Sequence, residues 1–283
     1  MVVSSMRECL KIDKRGVIRL LQITDPHLFS NPEDKLLGVD TLASFKEVIQ
    51  QIKKQIIRAG DSFDLILATG DLIQDHQIQG YEHFAKITKA LNLPIFWLEG
   101  NHDSPTEMNE ILSAYSHVMP HKHILVGEHW QILMLNTHVT CQAYGELTES
   151  QLNWLESKLA EYPEHFSLIV QHHNILPTNS AWLDQHSLKN AKELEKVLSK
   201  FDKVRAIIHG HIHQQVDAHW QGIPIFATPS TCIQFKPNCD EFTLDILPQG
   251  WREFYLYENG ELETVVKRLN SNEFLPNLEA KGY

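Results

Sequence analysis

The sequence is poor in cysteine and has no long apolar run. Its 283 residues include four scattered cysteines without a C-x-x-C pair, which argues against a disulfide framework and against a thiolate zinc site. A Cys232–Cys239 disulfide is the minor alternative. No apolar run approaches the roughly 20 residues that a membrane-spanning helix needs, and the charged N-terminal segment is unlike a secretory signal. We therefore expect a cytoplasmic protein with reduced cysteines and no membrane partner.

Positive charge is also scarce. The chain has 25 lysines and arginines against 36 acidic residues, a formal net charge of −11. An acidic surface repels the phosphate backbone of DNA and RNA, so we expect no nucleic-acid partner. A small anionic substrate remains compatible with this charge, because bound metal cations reverse the local field.

Short apolar runs alternate with amphipathic segments along most of the chain. This order predicts an α/β fold, a two-sheet α-β-β-α sandwich with helices outside and a site at the carboxyl ends of the strands. Residues 18–283 are predicted to form one domain, preceded by an extension at 1–17 and including a C-terminal lid and strand segment at about 229–283. Loops over a site are expected at 29–38, 137–146 and 229–247. Strands are predicted at 18–23, 65–68, 95–98, 130–135, 167–170, 204–208 and 223–227, helices at 39–57, 81–91, 148–159 and 187–201, and a hairpin at 251–268.

Five short polar motifs each follow a predicted strand. Because the carboxyl ends of strands in α/β folds meet at one edge, side chains from all five loops can converge. Carboxylate and imidazole suit iron, manganese, zinc and cobalt, and one carboxylate can bridge two ions about 3.5–4 Å apart. The motifs are Asp25-Pro26-His27, Gly70-Asp71, Gly100-Asn101-His102-Asp103, His172-His173 and Gly210-His211-Ile212-His213.

Each motif alone also has a structural explanation. The chain has 17 histidines, so some fall in loops by chance, and Asn and Gly favour turns. All five motifs in order favour a dinuclear metal site. Within the histidine pair His172 is preferred over His173 as a ligand. Four other histidines stay open as neighbours of the cleft, namely His76, His83, His138 and His186.

The five motifs resemble those of the calcineurin-like metallophosphoesterases. Stretches outside the motifs, at 36–39, 68–72, 180–188, 227–232 and 234–237, are similar to the bacterial members of that family that act on 3′,5′-cyclic AMP. The resemblance implies one metal held by Asp25, His27 and His213, a second held by Asn101, His172 and His211, and Asp71 as the bridge. It implies His102 as the catalytic residue at the leaving 3′ oxygen. Substrate contacts are implied for His27, Asp71, Asn101, His102 and His213.

The resemblance also implies an activity. It predicts hydrolysis of 3′,5′-cyclic AMP to 5′-AMP by a bridging hydroxide, which would lower this second messenger in a bacterial cell. The implied metals are iron with iron or manganese, with zinc and cobalt as alternatives. The resemblance also implies a small cyclic nucleotide as the partner and a monomer or homodimer as the oligomeric state. Asn136, Thr137, Tyr144, Asn174 and His209 depart from common family residues and leave details of the pocket open.

Three alternatives are weighed against this activity. The same centre could act on another small phosphodiester, such as a 2′,3′-cyclic nucleotide or a glycerophosphodiester. A protein phosphatase is disfavoured, because no Asp-Arg-Gly follows Gly70-Asp71 at the spacing that such enzymes carry. A scaffold used only for protein binding is disfavoured because His102 and all seven candidate ligands are present.

Overall fold

Two β-sheets pack face to face in the computed structural model, which describes residues 9–60, 62–280 and 282. A small two-stranded hairpin, β3 (Lys35–Leu36) with β4 (Val39–Asp40), lies beside them. The seven-stranded sheet has the order β1 (Leu10–Ile12), β8 (His123–Val126), β9 (Trp130–Met134), β10 (Phe166–Val170), β11 (Val204–His209), β13 (Ile223–Ala227) and β12 (Val216–Trp220). The six-stranded sheet has the order β15 (Leu262–Arg268), β14 (Gly250–Leu256), β2 (Ile18–Ile23), β5 (Leu65–Thr69), β6 (Ile95–Leu98) and β7 (Val118–Met119).

Helices cover the outer face of each sheet. The six-stranded sheet packs against α1 (Thr41–Ala59), α2 (Gln79–Thr88, continued by a 3-10 turn at Lys89–Leu91) and α3 (Pro105–Leu112). The seven-stranded sheet packs against α4 (Glu149–Glu161) and α6 (Ala191–Leu198). A single turn, α5 (Ala181–Asp184), belongs to a smaller apolar cluster at one end of the sandwich.

Alternation along the strands produces the layers. On β2, Leu20 and Leu21 are adjacent and fully buried, yet they belong to different cores. Leu20 packs between the two sheets, and Leu21 packs under the helices of the six-stranded sheet. This is expected of a strand whose successive side chains point to opposite faces. The predicted α-β-β-α sandwich is confirmed.

Three predicted helix starts are wrong, since α2 begins at Gln79 rather than 81, and the other two have local reasons. Helix α1 begins at Thr41 rather than 39, because the Asp40 side chain accepts a hydrogen bond from the Ala43 amide at 2.8 Å and caps the first turn. Helix α6 begins at Ala191 rather than 187, because the Asn190 side chain binds the backbone of Leu147 through two hydrogen bonds. The short elements β1, β3, β4, β7, β8, β12, α3 and α5 were not predicted.

Parts of the predicted extension and lid are strands of the two sheets. Residues Leu10–Ile12, inside the predicted extension, form β1 and pair in parallel with β8. The predicted hairpin at 251–268 is confirmed as β14 and β15, and β14 pairs with β2. Residues 1–8 of the extension lie outside the described residues, and the domain boundary at residue 18 stays a prediction. All four cysteines are free, so the Cys232–Cys239 alternative is wrong.

A membrane-spanning helix is absent from the part of the chain that the structure describes, since none of its helices combines the necessary length and apolarity.

Candidate metal centre and its cavity

The five motifs converge where parallel strands end. Strands β2, β5 and β6 are parallel neighbours in one sheet, and β10 and β11 are parallel neighbours in the other. Backbone hydrogen bonds join the loops that follow them, from Asp25 N to Gly70 O (3.1 Å), His27 N to Asp71 O (3.1 Å) and Gly210 N to His172 O (3.2 Å). The predicted convergence of side chains from both sheets is therefore present.

Left-handed backbone conformations cluster at this edge. The φ angles are 52° for Asp25, 46° for His27, 50° for Asp71, 69° for His211 and 49° for His213. Such angles cost residues other than glycine about 1–3 kcal/mol each and persist only where the surroundings impose them. Backbone strain is thus concentrated on five of the seven candidate ligands.

Two glycines allow the loops to approach closely. A Cβ on Gly70, whose φ is 96°, would meet the His172 ring and the backbone of Gly100. A Cβ on Gly100 would meet the Asp71 carboxylate and amide. Glycine at these positions lets two neighbouring strands deliver their polar side chains to one point.

The first cluster consists of Asp25, His27 and His213, all buried. The two imidazole Nε2 atoms are 3.1 Å apart, and His213 Nε2 is 3.3 Å from Asp25 Oδ1. The opposite ring nitrogens are engaged, with His27 Nδ1 2.7 Å from Gln74 Oε1 and His213 Nδ1 3.0 Å from Ile233 O. Because those acceptors take the Nδ1 protons, both Nε2 lone pairs converge beside a carboxylate.

The second cluster consists of Asn101, His172 and His211. His172 Nε2 lies 3.2 Å from Asn101 Oδ1 and 3.3 Å from Asp71 Oδ2, while its Nδ1 is 2.7 Å from Thr69 O. His211 is buried beside His172, with ring centroids 5.0 Å apart. Within the described chain, its buried Nε2 has no hydrogen-bond partner. An unpartnered buried imidazole nitrogen is uncommon outside sites that take a ligand.

Asp71 lies between the two clusters. Its Oδ2 is 3.3 Å from His172 Nε2 and 3.8 Å from His27 Nε2. Burial raises the pKa of Asp71, but the facing histidines, His172 first, outweigh burial and hold it well below its usual value. Burial lowers the pKa of His172, but the charge and hydrogen bond of Asp71, with the Asp25 charge and the Thr69 carbonyl, together outweigh burial and raise that pKa to about 9. Burial lowers the pKa of His27 to about 3.

These donors fit metal ions. Oxygen and imidazole donors about 3 Å apart match the edges of a coordination shell with bonds of about 2.0–2.2 Å. Two carboxylates, one amide oxygen and four imidazoles supply the hard and borderline donors that iron, manganese, zinc and cobalt accept. Groups with ligand atoms within 4.8 Å of one another include Asp25, His27 and His213, and also Asp25, Asp71 and His172.

The two residues that follow Asn101, His102 and Asp103, have different surroundings. The His102 amide donates to Asp71 Oδ1 at 2.8 Å, and the His102 ring makes an edge contact with His27, at 5.0 Å between centroids. Asp103 instead accepts from the amides of Leu72 (3.0 Å) and Gly100 (2.9 Å), so it braces two loops. Burial, followed by the Asp71 charge, raises the pKa of Asp103 to about 8.

The sequence favoured His172 over His173 as a ligand but did not predict where the His173 ring lies. This residue is fully buried, and its ring centroid lies 4.9 Å from His172 and 4.7 Å from His211. Its Nδ1 is 2.7 Å from Thr137 Oγ1. His173 therefore packs behind the second cluster. The sequence feature that indicated this position was the pair of adjacent histidines after β10.

A cavity of about 970 Å³ opens beside the clusters. Asn101, His102 and His211 are among its lining residues. Of the predicted loops, 137–146 and 229–247 contribute to its wall, whereas 29–38 supplies none of the described lining residues. Three of the four histidines that the sequence left undecided line the cavity, namely His76, His138 and His186. The fourth, His83, does not line it, and its Nε2 lies 3.1 Å from Ser30 O.

Comparison with known proteins identifies the class. The model of the calcineurin-like phosphoesterase family matches residues 18–215. The chain belongs to this family, whose members carry a dinuclear metal centre.

Two curated relatives span nearly the whole chain. The 3′,5′-cyclic adenosine monophosphate phosphodiesterase CpdA of Haemophilus influenzae is 48% identical over 270 residues, covering 95% of this chain and 97% of the relative. The protein of the same name from Escherichia coli K12 is 46% identical over 266 residues, covering 94% and 95%.

Solved structures share the fold at low identity. A dimetal phosphatase from Danio rerio aligns with a TM-score of 0.59 at 14% identity, covering 90% of this chain and 99% of that one. GAP50 of Plasmodium, described as an anchor in the inner membrane complex, aligns with a TM-score of 0.55 at 13% identity, covering 93% and 92%. The fold thus occurs in an enzyme and in an anchor, and function must be argued from the site.

Proposed function

We propose that this protein hydrolyses 3′,5′-cyclic AMP to 5′-AMP at a dinuclear metal centre. The observation that carries the proposal is the pair of largely buried ligand clusters, joined by Asp71, beside a cavity of about 970 Å³. The cavity volume falls at the upper end of the roughly 300–1,000 Å³ typical of small-molecule sites. The names of the curated relatives support the choice of substrate.

Seven side chains would hold the metals. Asp71 is the proposed bridge, because its carboxylate reaches both clusters. Iron with iron or manganese is the proposed pair, and zinc and cobalt are alternatives that the same donors tolerate. The first metal is assigned to Asp25, His27 and His213, and the second to Asn101, His172 and His211.

When bound, two such ions supply positive charge that polarises the phosphate and acidifies water. The protein's own side chains orient the substrate. His102 lines the cavity next to Asn101 and contacts His27, so it can reach a phosphate held at the clusters. We assign it to the leaving 3′ oxygen, which gains a proton as water oxygen joins phosphorus and the P–O3′ bond breaks. Further substrate contacts are assigned to His27, Asp71, Asn101 and His213.

The cellular proposal follows from this reaction. The protein would act in the cytoplasm, as a monomer or homodimer, and would lower the concentration of cyclic AMP. Its net charge of −11 supports a small nucleotide rather than a nucleic-acid polymer as substrate. Cellular cyclic AMP that stays unchanged after deletion of the gene would contradict this role.

The test is product analysis with purified protein reconstituted with iron or manganese. We expect 5′-AMP from 3′,5′-cyclic AMP, with slower turnover of 2′,3′-cyclic AMP and bis(p-nitrophenyl) phosphate. His102→Ala is expected to lower kcat by about 10²–10⁴-fold, the usual contribution of a positioned proton donor. His219→Ala is the matched control, because His219 is exposed on β12. Hydrolysis of the artificial diester with cyclic AMP untouched would refute the proposed substrate and favour another small phosphodiester.

A further inference from the structure

The cavity wall contains two chemically different groups of residues. One group is the candidate metal ligands Asn101 and His211 together with His102. The other is Trp182, Leu183, Phe235 and Phe242. A ligand that contacts both groups would combine an anionic group with a flat or apolar one.

Three rings form the aromatic wall, defined as Trp182, Phe235 and Phe242. Ring centroids are 5.0 Å apart for Trp182–Phe235 and for Trp182–Phe242, and 5.6 Å apart for Phe235–Phe242. The interplanar angles of 87°, 69° and 67° describe edge-to-face contacts, which aromatic rings prefer. Phe235 is only 2% exposed, whereas Trp182 and Phe242 are partly exposed. Two of the three rings thus keep surface available to a ligand.

Backbone contacts hold the wall in place before any ligand arrives. The Trp182 amide donates to Asp240 O at 3.1 Å, and the Cys239 amide donates to Ser180 Oγ at 3.1 Å. These bonds join the start of α5 to the segment between Phe235 and Phe242. A preformed surface loses little conformational entropy when a ligand binds.

The wall is continuous with the first ligand cluster. The Phe235 ring stacks on the His213 ring, with centroids 4.3 Å apart and planes inclined by 9°. The aromatic wall therefore begins beside the residues that would hold the phosphate. In a cyclic nucleotide the base is separated from the phosphate by one ribose ring, so both groups can be bound within this single cavity.

We propose that Trp182 and Phe242 form a nucleobase subsite that binds the base by stacking. This inference rests on the proposed function for the phosphate site and adds the residues that select the substrate. Phe235 supports His213 from behind, because its ring is buried and stacked there. The strength of stacking increases with the area of the stacked ring. Because a purine has two fused rings and a pyrimidine has one, the subsite favours purines.

The test measures binding without turnover. Isothermal titration calorimetry of the manganese-loaded protein compares 5′-AMP, 5′-CMP and ribose 5-phosphate, which lacks a base. Base stacking on an aromatic side chain changes affinity by about 5- to 150-fold. We expect 5′-AMP to bind at least about tenfold more tightly than ribose 5-phosphate, with 5′-CMP between them.

Variants then test whether the aromatic wall causes the tighter binding of 5′-AMP relative to ribose 5-phosphate. Trp182→Ala and, independently, Phe242→Ala are expected to move the ratio of the two Kd values towards one. Trp182→Phe keeps a ring and should retain most of the ratio. Ile246→Ala is the matched control, because Ile246 is 61% exposed in the same loop and does not line the cavity. Metal content, measured in each variant, identifies any effect that acts through the ligand clusters.

The outcomes separate this inference from the proposed function. Equal binding of 5′-AMP and ribose 5-phosphate by the unaltered protein would overturn the subsite. A full 5′-AMP advantage in both Trp182→Ala and Phe242→Ala would overturn it as well. A protein that prefers 5′-AMP through these rings but leaves cyclic AMP intact would retain the subsite and refute the proposed reaction.

Discussion

Replacing Asp71 by asparagine tests the proposed bridge, because the change removes one charge and almost no volume. The seven candidate ligands include two carboxylates, Asp25 and Asp71. The first cluster keeps Asp25 in the variant, whereas the second retains only the neutral Asn101, His172 and His211. We therefore expect the second metal to be lost selectively.

The size of the loss follows from the geometry. Asp71 Oδ2 lies 3.3 Å from His172 Nε2, and this separation sets the scale for the interaction of the carboxylate with a neighbouring positive charge. Two unit charges at that separation interact by about 5 kcal/mol at an effective dielectric constant of about 20. Each 1.4 kcal/mol is about a tenfold change in affinity, so the second metal should bind about three to four orders of magnitude more weakly.

Metal analysis by mass spectrometry after dialysis measures this effect. The Asp71→Asn protein should retain one metal ion where the unaltered protein retains two, with an unchanged circular dichroism spectrum. Asp25→Asn is the matched variant, since the bridging Asp71 still gives each cluster one carboxylate and the loss should fall on the first metal. Two tightly held metals in Asp71→Asn would refute the bridging role.

Three further predictions concern the scaffold. Gly100→Ala places a methyl group against the Asp71 carboxylate, so we expect a lower Tm and a reduced metal content. Burial raises the pKa of the Cys232 thiol; under native conditions iodoacetamide should therefore label the exposed Cys141 but not Cys232, as read by peptide mass spectrometry. Leu20→Ala leaves a cavity between the sheets and should lower the free energy of unfolding in urea by about 2–5 kcal/mol.

Each of these predictions has a contrary result. An unchanged Tm and full metal content in Gly100→Ala would show that the two loops can move apart without cost. Equal labelling of Cys232 and Cys141 would mean that the site end of the sandwich opens readily. A loss below about 1 kcal/mol for Leu20→Ala, similar to that of the exposed Ile246→Ala, would mean that the sheets adjust to fill the space.

The convergence of the ligands was predictable because it depends on local order. Asp25 and His211 each follow an apolar run that is long enough for a strand, and the carboxyl ends of parallel strands share an edge. The hairpin at 251–268 was predictable from Asn259-Gly260 for the same reason, since a turn signal and its flanking strands are adjacent in sequence.

Other features depend on contacts that no local pattern contains. The aromatic wall joins Trp182 to Phe242 across about 60 residues, so its members carry no common signal. The left-handed backbone of His27 and His213 is imposed by surrounding loops. Histidine is enriched in this conformation, but the sequence does not mark which histidines adopt it. Helix α6 starts late because Asn190 binds Leu147, a partner found only in three dimensions.

The ligands of the proposed centre come from both sheets, and this has a consequence for folding. His27 follows a strand of one sheet and His213 a strand of the other, 186 residues apart in sequence. Closing a loop of that length and packing two sheets must both precede any site that resembles the folded one. Unfolded or half-assembled chains therefore offer metals only scattered histidines, and the binding energy accrues almost entirely to the finished sandwich. The metals would therefore bind late in folding. Once bound, they would hold the two sheets together at the edge where the substrate would enter.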